Sequence, residues 1–161
     1  MLRISLIQMN VDDGNFKYNL SKGTKYIKEA GVRNSDVVVL PELWTVGYDR
    51  YAVSKYAESV EGGQSIKFLS YLAREYGMYI INPVPLREGN TLYDATVLIN
   101  SSGDVEGIYK KLHLFKLYKE HEIFKPGDSV GVFKTKLVVL GIAICYDLRF
   151  PELFRKFAES G

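Results

Sequence analysis

Cysteine is almost missing from this chain. One thiol, Cys145, among 161 residues cannot close an internal disulfide. The spaced ligand set of a structural zinc site is missing too. This usage fits a reducing compartment, and a cytoplasmic location is expected. No apolar run approaches the ~20 residues needed to span a bilayer. Residues 1–9 alternate over a strand length, without a long apolar stretch or a small-residue cleavage site. No signal peptide and no membrane partner are therefore expected. Charge of one sign is also lacking: 21 basic residues against 19 acidic leave a net charge of +2. The lysines sit among acids and read as solvated faces, and the tyrosines do not form a basic aromatic strip. Nothing here argues for nucleic acid. Repeats, low-complexity tracts and linkers are absent, so residues 1–161 are expected to form one domain.

What the chain does have is the balance of a soluble globular domain, 47% hydrophobic and 25% charged. Residues 2–9 predict a first strand. A helix is expected over 16–30, weakened by Gly23 and stopped near Gly31. Three consecutive valines in 36–40 predict a strand buried on both faces, ending at Pro41-Glu42. Apolar residues at helical spacing predict a helix over 64–76 with Gly77 as its stop. Strands are expected over 78–84, 92–100, 105–110, 132–135 and 137–144, with Gly89-Asn90 as a turn. Residues 112–131 read as a long, polar and aromatic loop, a length more often functional than idle. A last helix is expected over 151–159, opened by Pro151. Together these elements predict an α/β unit with mixed hairpin and crossover connections.

Three polar groups stand at or just beyond the ends of apolar strands: Glu42, Lys111 and Cys145. If those strands share a sheet, their ends converge. A carboxylate, an ammonium and a thiol then form a reaction set. The ammonium favours the thiolate and the carboxylate accepts its proton. The sulfur attacks a carbonyl or nitrile carbon, and Lys111 with the backbone N–H of Tyr146 holds the oxyanion. Glu42 returns its proton to the leaving amine and later activates the water that splits the thioester. Of two adjacent lysines only one can point inward, and spacing to His113 favours Lys111 over Lys110. His113 is expected to fix a loop rather than to catalyse, and His121 to be exposed. Asp147 and Arg149 are expected to pair and cap the next helix, with substrate orientation as the rival role. Trp44, Tyr48 and Tyr51 either wall a pocket or belong to the core.

Pro41-Glu42-Leu43, Tyr109-Lys110-Lys111-Leu112-His113-Leu114-Phe115 and Gly141-Ile142-Ala143-Ile144-Cys145-Tyr146-Asp147-Leu148-Arg149-Phe150-Pro151-Glu152 occur in that order. Taken together, these segments resemble the three signatures of the nitrilase, or carbon–nitrogen hydrolase, superfamily. The resemblance implies a four-layer α-β-β-α sandwich, here incomplete, as if the C-terminal part of the domain were lacking. It implies Glu42 as general base, Lys111 as oxyanion stabiliser and Cys145 as nucleophile, with no metal and no organic cofactor. A second glutamate braces many such sites, and Glu120 matches it best, with Glu122 as the neighbouring alternative. The closest-looking branch is ω-amidase-like, which implies a small carboxylate-bearing amide as substrate and ammonia as product. Nitrile or N-carbamoyl hydrolysis would use the same residues. A further expectation is a homo-oligomer, or association with a completing chain. The rival to an enzyme is a truncated or split relative, inactive alone and serving as an assembly partner.

Overall fold

The structure is a computed structural model that describes all 161 residues. Three parallel strands open the main sheet: β1 (Ile4–Leu6), β2 (Val37–Val39) and β3 (Tyr79–Glu88). Helix α1 (Phe16–Val32) connects the first two. Helices α2 (Arg50–Tyr56) and α3 (Gln64–Tyr76) lie between the second and third. The sheet then turns antiparallel through β4 (Thr91–Ile99) and β5 (Val105–Lys110), giving the order β1-β2-β3-β4-β5. A separate two-stranded sheet, β6 (Val132–Lys134) and β7 (Val139–Gly141), precedes the closing helix α4 (Pro151–Glu159).

The layers follow from the alternation of side chains along each strand. Val38 and Ile80 enter one core with Ile27 of α1 and Ile66, Leu69 and Leu72 of α3. Their neighbours Val37 and Tyr79 point the other way. They pack with Leu98, Tyr109, Ile142 and Ile144, and against Phe133 and Leu140 of the small sheet. Each fully buried aliphatic side chain contributes about 1.5–3 kcal/mol. Gly107 lets Phe133 lie flat on β5, since a Cβ there would meet the ring at 2.2 Å. Beyond the small sheet, Phe157 of α4 covers Gly141. The chain is thus an α/β sandwich. Helices α1 and α3, the main sheet, the β6–β7 ribbon and α4 stack in that order.

The helices over 16–32 and 64–76 and the strands over 105–110 and 91–99 lie close to where periodicity predicts them. Gly77 closes α3 in the left-handed conformation with φ +65°. Other expectations need correction. The first strand is three residues, not eight. Strand β3 runs past the expected Val84 to Glu88, through Pro83 and Pro85. β2 pairs only with Tyr79–Ile81. The prolines therefore sit where one side of β3 has no strand to bond, a place where their missing N–H costs little. The apolar run 137–144 is only in part a strand. Thr135 accepts N–H groups from Leu137 and Val138 in a tight turn, which delays β7 to Val139. Helix α2 carries no clear apolar period; its signal is the N-cap, where the Asp49 side chain accepts the Ala52 N–H at 2.6 Å.

Candidate active site

The parallel strands β2 and β3 and the doubly reversed β5 all end at the same edge of the sheet. Glu42 follows β2 in a tight turn. Leu43 adopts φ +48° there, and its carbonyl accepts the N–H groups of Val46 (3.0 Å) and Gly47 (2.7 Å). Leu43 and Trp44 are fully buried, and the Trp44 indole N–H donates to Asn82 Oδ1 at 2.8 Å. Trp44 is therefore core and not a pocket wall. This anchoring fixes the residue just before it. Glu42 itself keeps 15% side-chain exposure and faces the edge.

Lys111 follows β5 directly, and its side chain is entirely buried. Its Nζ donates to Glu42 Oε1 at 2.6 Å and to Glu120 Oε1 at 2.8 Å. It also lies 3.3 Å from Asp94 Oδ2. Lys110 points outward to Glu88 at 2.6 Å. Glu120 opens a single 3-10 turn inside the long loop, and its second oxygen accepts the Phe115 N–H at 2.8 Å. Glu122, two residues on, faces solvent and pairs with Arg50 at 2.7 Å. Glu42, Asp94 and Glu120 place carboxyl oxygens within 4.8 Å of one another. The cation among them is the Lys111 ammonium.

Cys145 is exposed and sits at the first position of the 3-10 turn 145–149, with φ +45°. That left-handed backbone is uncommon for a residue with a Cβ. What holds it there is Asp147, fully buried, which accepts the Ile144 N–H at 3.0 Å and the Tyr109 hydroxyl at 2.7 Å. The same carboxylate accepts the His113 N–H at 3.0 Å and contacts His113 Nδ1 at 2.8 Å. The His113 ring stacks on Phe150 with centroids 3.5 Å apart. Asp147 therefore ties together β5, the long loop and the cysteine turn. Its expected pairing with Arg149 does not occur. The Tyr146 N–H, next after the thiol, donates to no protein acceptor.

The electrostatics follow from this packing. Burial raises the Glu42 carboxyl. The Asp94 carboxyl beside it, the Lys111 charge and the hydrogen bonds from Lys111 and Tyr48 outweigh it, and the net shift is downward. Burial works against the Lys111 ammonium, but the carboxyl groups gathered round it, Asp94, Glu42 and Glu120, overcome it and lift its pKa. Burial and the Glu42 charge push the Cys145 thiol from its ordinary 9.0 up to about 11, against a smaller opposing pull from Lys111. The expected thiolate is thus not preformed: near neutral pH the sulfur keeps its proton and Glu42 stands beside it as an anion.

Two further residues join the site. Tyr48 donates its hydroxyl to Glu42 Oε2. Asp94, fully buried on β4, was missed in the sequence. Its signal is a lone acid inside the otherwise apolar run of β4. Tyr51 is exposed, away from these groups. A recess lined by His113, Phe115, Leu117, Tyr146 and Phe150 opens beside the cysteine turn.

Residues 3–161 match the profile of the family described as carbon-nitrogen hydrolase. The chain belongs to that family. Among the relatives of this carbon–nitrogen hydrolase chain is a nitrilase of Pyrococcus abyssi, 36% identical over 165 residues. The alignment covers 100% of this chain and 62% of the relative. An omega-amidase of Xenopus tropicalis is 34% identical over 167 residues, 99% of this chain and 60% of the relative. The chain thus spans about three fifths of the length of the curated relatives it matches. The crystal structure of Saccharomyces cerevisiae Nit3, a member of branch 10 of the nitrilase superfamily, superposes with a TM-score of 0.89 at 27% identity. That match covers 99% of this chain and 60% of Nit3. The nitrilase-type sandwich and the ω-amidase-like character expected from the three segments are in keeping with these matches.

Proposed function

We propose that the chain carries the reaction centre of a thiol amidohydrolase that cleaves the C–N bond of a small, carboxylate-bearing amide. The observation that carries this reading is the buried Lys111 ammonium between Glu42 and Glu120 at the sheet edge that also bears an exposed thiol. Glu42 takes the proton from Cys145 as the sulfur bonds to the amide carbon. The carbonyl electrons move onto oxygen, where Lys111 and the free Tyr146 N–H receive the charge. Collapse of the tetrahedral adduct breaks the C–N bond, and Glu42 gives its proton to the nitrogen, which leaves as ammonia. Water then adds to the thioester with Glu42 as base. The acid departs and the proton returns to sulfur. Glu120 orients Lys111, and Phe115 with Tyr146 lines the approach. The omega-amidase relative supports the amide, and the nitrilase relative keeps nitrile hydrolysis as the alternative that the substrate panel tests.

Intact-mass analysis after mixing with a panel of small ω-amides of dicarboxylic acids and the matching nitriles tests this. The expected result is a thioester adduct on Cys145 of the wild-type protein when turnover is quenched with acid, with no adduct in Cys145→Ala and little in Glu42→Gln, which lacks the base that forms it. Ammonia release should fall by at least about a hundredfold in Cys145→Ala and Lys111→Ala. Unchanged release by Cys145→Ala would overturn the reading.

A second reading rests on the β6–β7 ribbon, where Leu137, Val138 and Val139 remain 37–42% exposed. Contiguous apolar surface of this kind, from the Thr135 turn into β7, marks an interaction site. In that reading a second copy of the chain, or a completing chain, packs on the ribbon, and turnover requires the assembly.

A further inference from the structure

Asp94 is the residue that the reaction above does not use. It lies on β4 opposite Pro85, with its side chain fully buried. Neither carboxyl oxygen has a hydrogen-bond donor elsewhere in the protein. Lys111 makes its short contacts to Glu42 and Glu120 and passes Asp94 Oδ2 at 3.3 Å. What Asp94 faces instead are the Glu42 and Glu120 carboxyl groups, with an oxygen of each within 4.8 Å of the others.

The charges decide what this means. Three ionised carboxylates around one ammonium would leave two uncompensated negative charges in a site that is nearly closed to water. Like charges this close do not all ionise; one group keeps a proton. Glu42, from the turn after β2, accepts from Lys111 and Tyr48. Glu120, from the 3-10 turn, accepts from Lys111 and the Phe115 N–H. Both are held as anions. Tyr48 and the β5 residue Tyr109 also feel the Asp94 charge and both hold their phenol protons, and the cation paired with Asp94 is Lys111. Asp94 alone lacks donors.

We propose that Asp94 is a positioning residue that keeps its proton across the neutral range and donates it in a hydrogen bond to the Glu42 carboxylate. Lys111 is then balanced by two anions and not three. Glu42 then has three donors: Tyr48 on Oε2, Lys111 on Oε1, and Asp94. Burial and the neighbouring Glu42 charge both press the Asp94 carboxyl well above its usual range, in line with the geometry.

The effect on Glu42 rests on the amidase reading; the proton on Asp94 does not, so the two are tested apart. The first measurement is the infrared spectrum of the folded chain at neutral pH. A protonated-carboxyl C=O band is expected, lost in denaturant and lost in Asp94→Asn. Absence of that band in the wild-type protein overturns the proposal, whether or not Asp94→Asn folds. The second measurement is the pH profile of kcat/KM. Asparagine also donates to Glu42, so Asp94→Asn should stay within about threefold of wild type with its acid limb in place. Asp94→Ala removes a bond to a charged group and should lower kcat about 10- to 100-fold with little change in KM. An acid limb moved down by about one pH unit in Asp94→Asn would mean that a charge had been removed, and would overturn the proposal. A band present in a chain that turns over no small amide would support the proton on Asp94 and refute the amidase reading.

Discussion

At the scale of single residues the site works by unequal sharing of one cation. Lys111 donates to Glu42 and Glu120, and burial with the Glu42 charge pushes the Cys145 thiol up to about 11. Near neutral pH almost all of the sulfur is therefore thiol. The proposed amide cleavage then requires proton removal coupled to bond formation. This predicts the pH dependence of alkylation. Iodoacetamide should modify Cys145 slowly near neutrality, with a rate that climbs towards about pH 11. Glu42→Gln removes a negative neighbour that disfavours the thiolate, so the midpoint should move down. A midpoint that stays or rises in Glu42→Gln would contradict the arrangement. The residues that place this chemistry at the edge were legible in the sequence: Glu42, Lys111 and Cys145 each close an apolar run. Asp94 was missed, since a lone acid in mid-strand says nothing of which groups it faces, and Tyr48 was read only as pocket wall or core, its hydroxyl contact to Glu42 depending on the fold of the turn.

At the scale of elements, the site depends on close packing behind it. The Trp44 ring lies against Gly23 in the middle of α1, and a Cβ there would meet the ring at 2.3 Å. Gly23, read in the sequence as a weakness of the helix, is the notch that seats the indole. Gly23→Ala gains about 1 kcal/mol of helix propensity but forces the ring to shift, at a cost of about 1–3 kcal/mol. The net outcome expected is a lower Tm, and a fall in kcat as the turn carrying Glu42 moves. Thermal melts with paired kinetics check both. Periodicity located α3 and β5 because each buries one regular face. It failed at β3, where the reason for two prolines lies in the neighbouring strand, and at β7, where Thr135 sets the turn. It failed at α2 as well, whose cap and not its pattern defines it.

At the scale of the whole molecule, the two sheets are unequal. Five strands face a ribbon of two, and the ribbon's outer apolar residues Leu137, Val138 and Val139 stay accessible. No helix of the chain is long and apolar enough to cross a membrane. The exposed ribbon predicts concentration-dependent association in sedimentation experiments, which Val139→Lys should weaken. A species that stays monomeric at every concentration, with full turnover, would remove the second reading. The order of layers was legible from the three sequence segments. The thinness of the second pair was expected from the same comparison, and here it appears as a physical surface.

The backbone at Cys145 carries a last consequence. An L-residue at φ +45° sits where glycine rests without penalty. The fold and the chemistry thus want different residues at the same address. Cys145→Gly should therefore raise the melting temperature, even as it removes the thiol on which the proposed reaction depends.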